Sequence, residues 1–232
     1  MSQPTTRPGE RPAQVTEMRD DRAFDNGAIS RFNAWFFTAF ARYINHIADR
    51  HKHSAFAGLR AGTVLEIGAG TGANIGFLPA GTHLIALEPN LAMHDRLRER
   101  CADAGVELTV LATGAESIPL PDDSVDEVIC SLVLCTVADP AQALAEVRRV
   151  LRPGGRFRFV EHVAAPRPGL RRAVQRAMRR PWGWVFEGCR PDRPTPELVA
   201  AAGFADATVE RRRFRHSVFF VVNTAAWGVA VK

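Results

Sequence analysis

TVLEIGAGTGAN, from Thr63 to Asn74, is an apolar run of strand length that breaks into glycines at every second position. TVLEI reads as a buried strand, and GAGTGAN as a glycine turn leading into a short helix that Pro79 stops. The same grammar repeats outward from this stretch. THLIALE, residues 82 to 88, is a second strand, and Asn90 caps a helix that runs to about Ala104. VELTVLA from Val106 is a third strand, and Val125 to Ser131 a fourth, buried one. Asp139 followed by Pro140 opens another helix, proline being suited to the first helical position. That helix is expected to end at Arg152, Pro153, Gly154 and Gly155, before a fifth strand from Arg156 to Val163. Thr195, Pro196 and Glu197 begin a helix that Gly203 stops, and two strands follow within Ala205 to Val231. Strands separated by helices pair in parallel through right-handed crossovers. The expected fold is therefore α/β: a Rossmann-like, doubly wound, mainly parallel seven-stranded sheet.

Two segments fall outside this alternation. Ile29 to about His53 carries Phe32, Trp35, Phe36, Phe40, Tyr43, Ile44 and Ile47 at spacings of three and four, the stripe of an amphipathic N-terminal helix. The stretch from about 164 to 194 mixes prolines and arginines with Trp182, Trp184, Val185 and Phe186. It reads as a helical cap inserted over the carboxyl ends of the strands. Residues 1–27 read as a disordered tail and 28–232 as a single domain, the size of one core. No run has the roughly 18 apolar residues of a membrane span, and no signal peptide precedes the domain, which points to the cytoplasm. Cys101, Cys130, Cys135 and Cys189 lack metal-motif or scaffold spacing and read as free thiols in a packed interior, with Cys135 and Cys189 as nucleophiles or metal ligands the lesser reading. His46, His51 and His53 do not form an i, i+4 pair, so no metal is expected. The net charge of +5 comes with arginine clusters at 167–180 and 211–215. Without interleaved aromatics these read as a solvated face rather than a nucleic-acid surface.

In an open α/β sheet, ligands bind beyond the strand carboxyl ends, beside the first glycine turn. Gly68, Gly70 and Ala73 also fit the looser dinucleotide pattern, so the turn alone leaves a nicotinamide or flavin cofactor open. Glu66 tips the balance: a carboxylate there suits the ammonium of an amino-acid cofactor, S-adenosylmethionine (SAM), better than a pyrophosphate. Glu88, ending the second strand, is placed to accept both ribose hydroxyls.

GAESIPLPDDSVD, from Gly114 to Asp126, resembles the adenine-side loop of class I methyltransferases, and LRPGG, from Leu151 to Gly155, resembles their next signature. From about Phe32 onward the chain is similar to the quinone-biosynthesis-like group of that superfamily. Within it, SLVLC (Ser131–Cys135), EHVAA (Glu161–Ala165), FEGC (Phe186–Cys189) and the terminal AVK resemble the methyltransferase-like enzymes that methylate alkyl thiols. The chain is expected to depart from the animal thiol enzymes by lacking their hydrophobic N-terminal anchor, which leaves membrane association and substrate open. The resemblance implies SAM as cofactor, S-adenosyl-L-homocysteine as product, and Leu132 near the cofactor's amino group. With the residue-level reading, the candidate cofactor contacts are Glu66, Gly68, Ala69, Gly70, Gly72 and Asn74; Glu88, Pro89, Asn90 and Met93; Gly114, Ala115 and Glu116; and Ser131 and Leu132.

Transfer of a sulfonium methyl needs chiefly an aligned nucleophile and exclusion of water. Phe32, Trp35, Phe36, Trp182 and Phe186 are the expected walls of an acceptor pocket, and His162, after the fifth strand, the group to orient or deprotonate the acceptor. The expected function is SAM-dependent methylation of a small, fairly apolar molecule at a thiol sulfur or a phenolic or hydroxyl oxygen. Carbon methylation of a quinone-like ring is the alternative; RNA methylation and a catalytically silent SAM-binding role rank below it.

Overall fold

The computed structural model describes residues 18–19, 27–214 and 217–232. After a two-residue strand β1 (Met18–Arg19) come helices α1 (Ala28–Ala39) and α2 (Ala41–Phe56), then β2 (Thr63–Ile67), β3 (His83–Leu87), α3 (His94–Asp103), β4 (Glu107–Ala112), β5 (Val125–Ser131) and α4 (Pro140–Val150). The chain continues through β6 (Leu151–His162), α5 (Leu170–Val185), α6 (Thr195–Ala201), β7 (Asp206–Arg213) and β8 (Thr224–Val231). The sheet runs β1-β4-β3-β2-β5-β6-β8-β7, with β8 antiparallel to both of its neighbours and the other pairs parallel. Seven of these are the expected strands; β1 adds a short edge against β4 within the stretch expected as a tail. The rest of that stretch, except Gly27, lies outside the described residues, as do Arg215 and His216 of the second arginine cluster.

The chain leaves β2 towards β3 and β4 on one side and returns to β5 on the other, so the switch point is the crevice between the ends of β2 and β5. β2 and β5 are nearly wholly buried, as central parallel strands between two helical layers should be, with Glu66 and Glu127 the carboxylates they bury. Asp139 caps α4 by accepting from the amides of Ala141 and Gln142. Arg158 on β6 ion-pairs with buried Glu127 on β5 at 2.8 Å and donates to the carbonyls of Ala55, Ala57 and Gly58, fastening the end of α2 to the sheet.

Two boundaries differ from those expected. The N-terminal stripe is two helices broken at Phe40, because a 3.6-residue periodicity continues across a bend without registering it. The break lets α2 bury Ala48, Ala55 and Phe56 against Val160 and Ala225 while α1 turns over the sheet end. LRPGG does not close α4 but forms the start of β6, where the pairing jumps from Val125–Leu151 to Glu127–Arg156. A Cβ on Gly155 would meet the Arg152 carbonyl oxygen at 2.8 Å, so this bulge requires glycine there. The inserted cap is the amphipathic helix α5, stitched down by buried Gln175, which accepts from Ala165 N and donates to the carbonyls of Val163 and Val221.

Candidate active site

The ends of β2, β3, β5 and β6 open into a chamber of about 260 Å³. One side of its floor is the glycine turn, and the turn's geometry is demanding. Gly68, Gly70 and Gly72 have φ of +62°, +55° and +80°. Glu88 clips the turn in place, one carboxylate oxygen accepting from Gly70 N at 2.8 Å and the other from Asn90 N at 2.9 Å. Each oxygen keeps a lone pair for a hydroxyl ligand, consistent with a ribose anchor.

Buried acceptors without partners lie close by. Glu66 spends one oxygen on Asn74 Nδ2 at 2.7 Å, leaving its other oxygen and Asn74 Oδ1 unpaired, and Ser131 Oγ, one step beyond the Ile67–Cys130 register pair, is unpaired as well. Three such acceptors match the three donors of an ammonium group. Lys52 of α2 also lines the chamber, 3% exposed, with a single side-chain bond, to Asn45 Oδ1 at 2.9 Å. It has donors left for a carboxylate. An amino acid's two charged ends therefore both find partners, which a pyrophosphate would not, and the residues present fit SAM.

Burial moves these groups towards neutrality. It lifts Glu66 to about 7 against the Asn74 bond and the Lys52 charge, with Glu88 adding to the rise. It lifts Glu88 to about 7 against its two backbone bonds, with Glu187 adding to the rise. It lowers Lys52 to about 8 against Glu66 and Asp49. A cationic ammonium favours ionised Glu66, so binding below about pH 7 must release a proton and strengthens as pH rises. A carboxylate favours protonated Lys52, so binding weakens above about pH 8. Titration calorimetry from pH 6 to 9 is expected to give a bell-shaped SAM affinity with its maximum between about 7 and 8; a flat profile would remove these groups from the site.

The walls opposite are aromatic. Phe36 of α1 meets Phe186 at 5.3 Å and Phe219 at 6.3 Å between centroids, and Trp182 meets Phe186 at 4.6 Å. α1 is held in this position by Asn33 Nδ2, which donates to the Val185 carbonyl, and by Asn90 Nδ2, which donates to that of Ser30. Between these walls the turn after β5, with Leu132 at φ +62°, is drawn in by Glu161. Its carboxylate accepts from the amides of Val133, Leu134 and Cys135 and from Cys130 Sγ. Burial lifts Glu161 above the usual carboxylate range, the Val133 bond and the His162 charge opposing. This places Cys135 beside His162 and Cys189. His162 Nε2 lies 3.1 Å from Cys189 Sγ, and the two sulfurs are 3.7 Å apart. Bonds from Cys135, then His162 and Trp182, hold the Cys189 thiol well below its ordinary range against burial. His162, lowered first by burial, is carried above its ordinary value by the Cys189 and Glu161 charges.

Of the expected contacts, Gly68, Ala69, Gly70, Asn74, Glu88, Pro89, Met93, Ser131, Leu132, His162, Phe36, Trp182 and Phe186 line the chamber. Others stand behind it. Glu66 lies beneath Asn74, and a Cβ on Gly72 would strike Ile75 at 2.5 Å, so that glycine serves packing. Asn90 ties α1 to the end of β3. Gly114 and Ala115 are off the wall, Ala115 within the main core, and Glu116 accepts from the amides of Ala138 and Asp139 at the start of α4. Phe32 and Trp35 are 42% and 61% exposed, outside the chamber. Lys52, Thr136, Cys135, Cys189 and Phe219 also line it, beyond the contacts expected from sequence. A lysine in a polar helical run reads as a solvated face, and nothing local joins cysteines 54 residues apart.

Fold and chamber together define a methyltransferase of the doubly wound type. A family model described as a methyltransferase domain matches residues 65–159. Human thiol S-methyltransferase TMT1A is 33% identical over 208 residues, covering 85% of each chain. Human TMT1B is 39% identical over 152 residues, 64% of this chain and 62% of that protein, so the chain matches less than two thirds of TMT1B's length. A SAM-dependent methyltransferase structure from Thermotoga maritima shares the fold, with a TM-score of 0.62 at 20% identity over 88% of this chain and 99% of that one. The chain belongs to the class I SAM-dependent methyltransferases, in the family that includes the TMT1 enzymes. Its cofactor is SAM. Among the described residues no helix is long and apolar enough to cross a membrane.

Proposed function

We propose that this enzyme methylates small, fairly apolar thiols at sulfur. The observation that carries the reading is the character of the chamber's far end: an aromatic roof of Phe36, Trp182, Phe186 and Phe219 above a buried Cys135–His162–Cys189 floor. An uncharged body with one nucleophilic atom suits such a dry pocket. The naming of TMT1A and TMT1B as thiol S-methyltransferases supports the same choice.

Bound SAM supplies an activated methyl group. In this reading Asn74, Ser131 and Lys52 hold its amino-acid end, with Glu66 behind Asn74 supplying the negative charge, Glu88 holds its ribose, and the backbone of Gly68 to Gly70 lets the cofactor approach the sheet closely. The roof excludes water and His162 with its cysteine neighbours orients the acceptor's sulfur. The chain's catalytic contribution is then alignment in a dry site. Glu88→Ala is expected to weaken SAM binding about tenfold to a hundredfold, from charge-assisted bonds worth about 1.5–3 kcal/mol. It should also lower the melting temperature, because the amides of Gly70 and Asn90 lose their acceptor. Calorimetry and thermal denaturation on one preparation check both.

The acceptor is tested by kcat/KM for an alkyl thiol, a phenol and a quinol of similar size. An alkyl thiol and a phenol ionise to similar extents at neutral pH, but sulfur is intrinsically the stronger nucleophile and needs less activation. Thiols are therefore expected to lead; a phenol or quinol that outruns them would overturn the assignment.

A further inference from the structure

Against the expectation from sequence that no metal is held, we propose that Cys135, His162 and Cys189 form a zinc site on the chamber floor, with its fourth position open to the acceptor. All three residues are buried, all three line the chamber, and their ligand atoms lie within 4.8 Å of one another. Two thiolates and one imidazole are the donor set of a tetrahedral zinc with one exchangeable position.

The spacing supports this directly. Sulfurs each about 2.3 Å from a tetrahedral zinc stand roughly 3.8 Å apart. Cys135 Sγ and Cys189 Sγ are 3.7 Å apart. The corresponding sulfur–nitrogen edge is about 3.5 Å. His162 Nε2 is 3.1 Å from Cys189 Sγ, so the ring has to withdraw by less than about half an ångström. A disulfide would instead need the sulfurs to close to about 2.05 Å. The surroundings are those of a ligated thiolate. Trp182 Nε1 donates to Cys189 Sγ at 3.3 Å, and Glu161 fixes the backbone amide of Cys135 at 3.4 Å. Zinc with two thiolates is electrically neutral, so the centre can be buried without an unpaired charge.

Resting on the thiol reading, the open position takes the acceptor. An alkyl thiol would bind there as its thiolate, displacing water and giving its proton to bulk solvent; the one negative charge this adds would face the cofactor's sulfonium cation and be discharged when the sulfur takes the methyl group and leaves as a neutral thioether.

The test reads metal binding without SAM or acceptor. Full-length protein purified under reducing conditions and dialysed with zinc is expected to retain about one zinc per chain. Cobalt added to metal-stripped protein is expected to give the near-ultraviolet thiolate charge-transfer band and the visible bands of a tetrahedral site. Cys135→Ser and Cys189→Ser should each diminish the charge-transfer band, while Cys101→Ser, in a separate buried cluster, should keep it. Folding of each variant is checked by S-adenosylhomocysteine binding. Reduced wild-type protein that takes up neither zinc nor cobalt overturns the site, as does an unchanged band in the Cys135→Ser, Cys189→Ser double variant. Adding an alkyl thiol to the cobalt protein should shift the band; an unmoved band overturns the acceptor's ligation. Thiol methylation is assayed separately, so loss of the metal site and loss of the thiol assignment give different results.

Discussion

Gly68→Ala is expected to reduce SAM affinity at least a hundredfold, equivalent to about 2.7 kcal/mol, and to lower stability as well. Gly68 sits at φ +62°, a left-handed conformation that costs a residue with a Cβ about 1–2 kcal/mol. The added carbon would meet Val133 Cγ2 at 2.4 Å, Cγ1 at 2.7 Å and Cβ at 3.1 Å. Valine's branched side chain has no flexible end to swing aside, so the turn itself must move, at a further cost of about 1–3 kcal/mol. Any such movement draws Gly70 N from Glu88 and shifts the floor on which the cofactor rests. Gly81→Ala is the matched control: its φ is +77°, but nothing lies within 4 Å of the new carbon. It should cost only the backbone strain and leave SAM affinity intact. Calorimetry and denaturant unfolding of both variants would separate clash from strain.

The second large effect is at Glu161. Glu161→Ala is expected to destabilise the protein by about 3–5 kcal/mol, by loss of an acceptor to three backbone amides at about 1–3 kcal/mol each. Those amides, of Val133, Leu134 and Cys135, belong to a turn already strained at Leu132. With the acceptor gone the turn should relax outward, taking Cys135 with it. Glu161→Gln keeps the shape and one acceptor oxygen, so it is expected to recover part of the stability. Equal stability of both variants and wild type in urea would show that the turn holds itself.

The parts of the fold legible in the sequence are those governed by local chemistry. Val125–Ser131 shows its burial in the apolar run Val128–Cys130 between turns, Asp139–Pro140 states its own helix start, and the glycines at 68, 70 and 72 announce a turn that only left-handed backbone can make. Boundaries blurred where one pattern served two elements. The aromatic stripe runs unbroken through Phe40, where the backbone bends, and Leu151–Gly155 carries helix-stop residues that turn out to form a strand bulge.

The candidate site divides the same way. Glu88, Asn74 and the glycine turn were legible because they adjoin one strand end in sequence or register. Sequence order places Glu116 among the cofactor contacts, yet its carboxylate accepts from amides at the head of α4, a choice set by how the loop packs. Lys52, Phe219 and the Cys135–His162–Cys189 cluster depend on contacts between distant segments: α2 on the sheet end, the segment before β8 on α5, and the cap on the β5 turn. Their residue types carry no local signal of those meetings.

The most direct test of the central claim is a single-turnover reaction of excess enzyme with methyl-labelled SAM and one small alkyl thiol, followed by mass spectrometry. The account predicts the labelled methyl on the thiol's sulfur as a thioether, formed in equal amount with S-adenosylhomocysteine. Formation of S-adenosylhomocysteine with the thiol recovered unlabelled, or no consumption of SAM by a protein that binds it, would contradict the account.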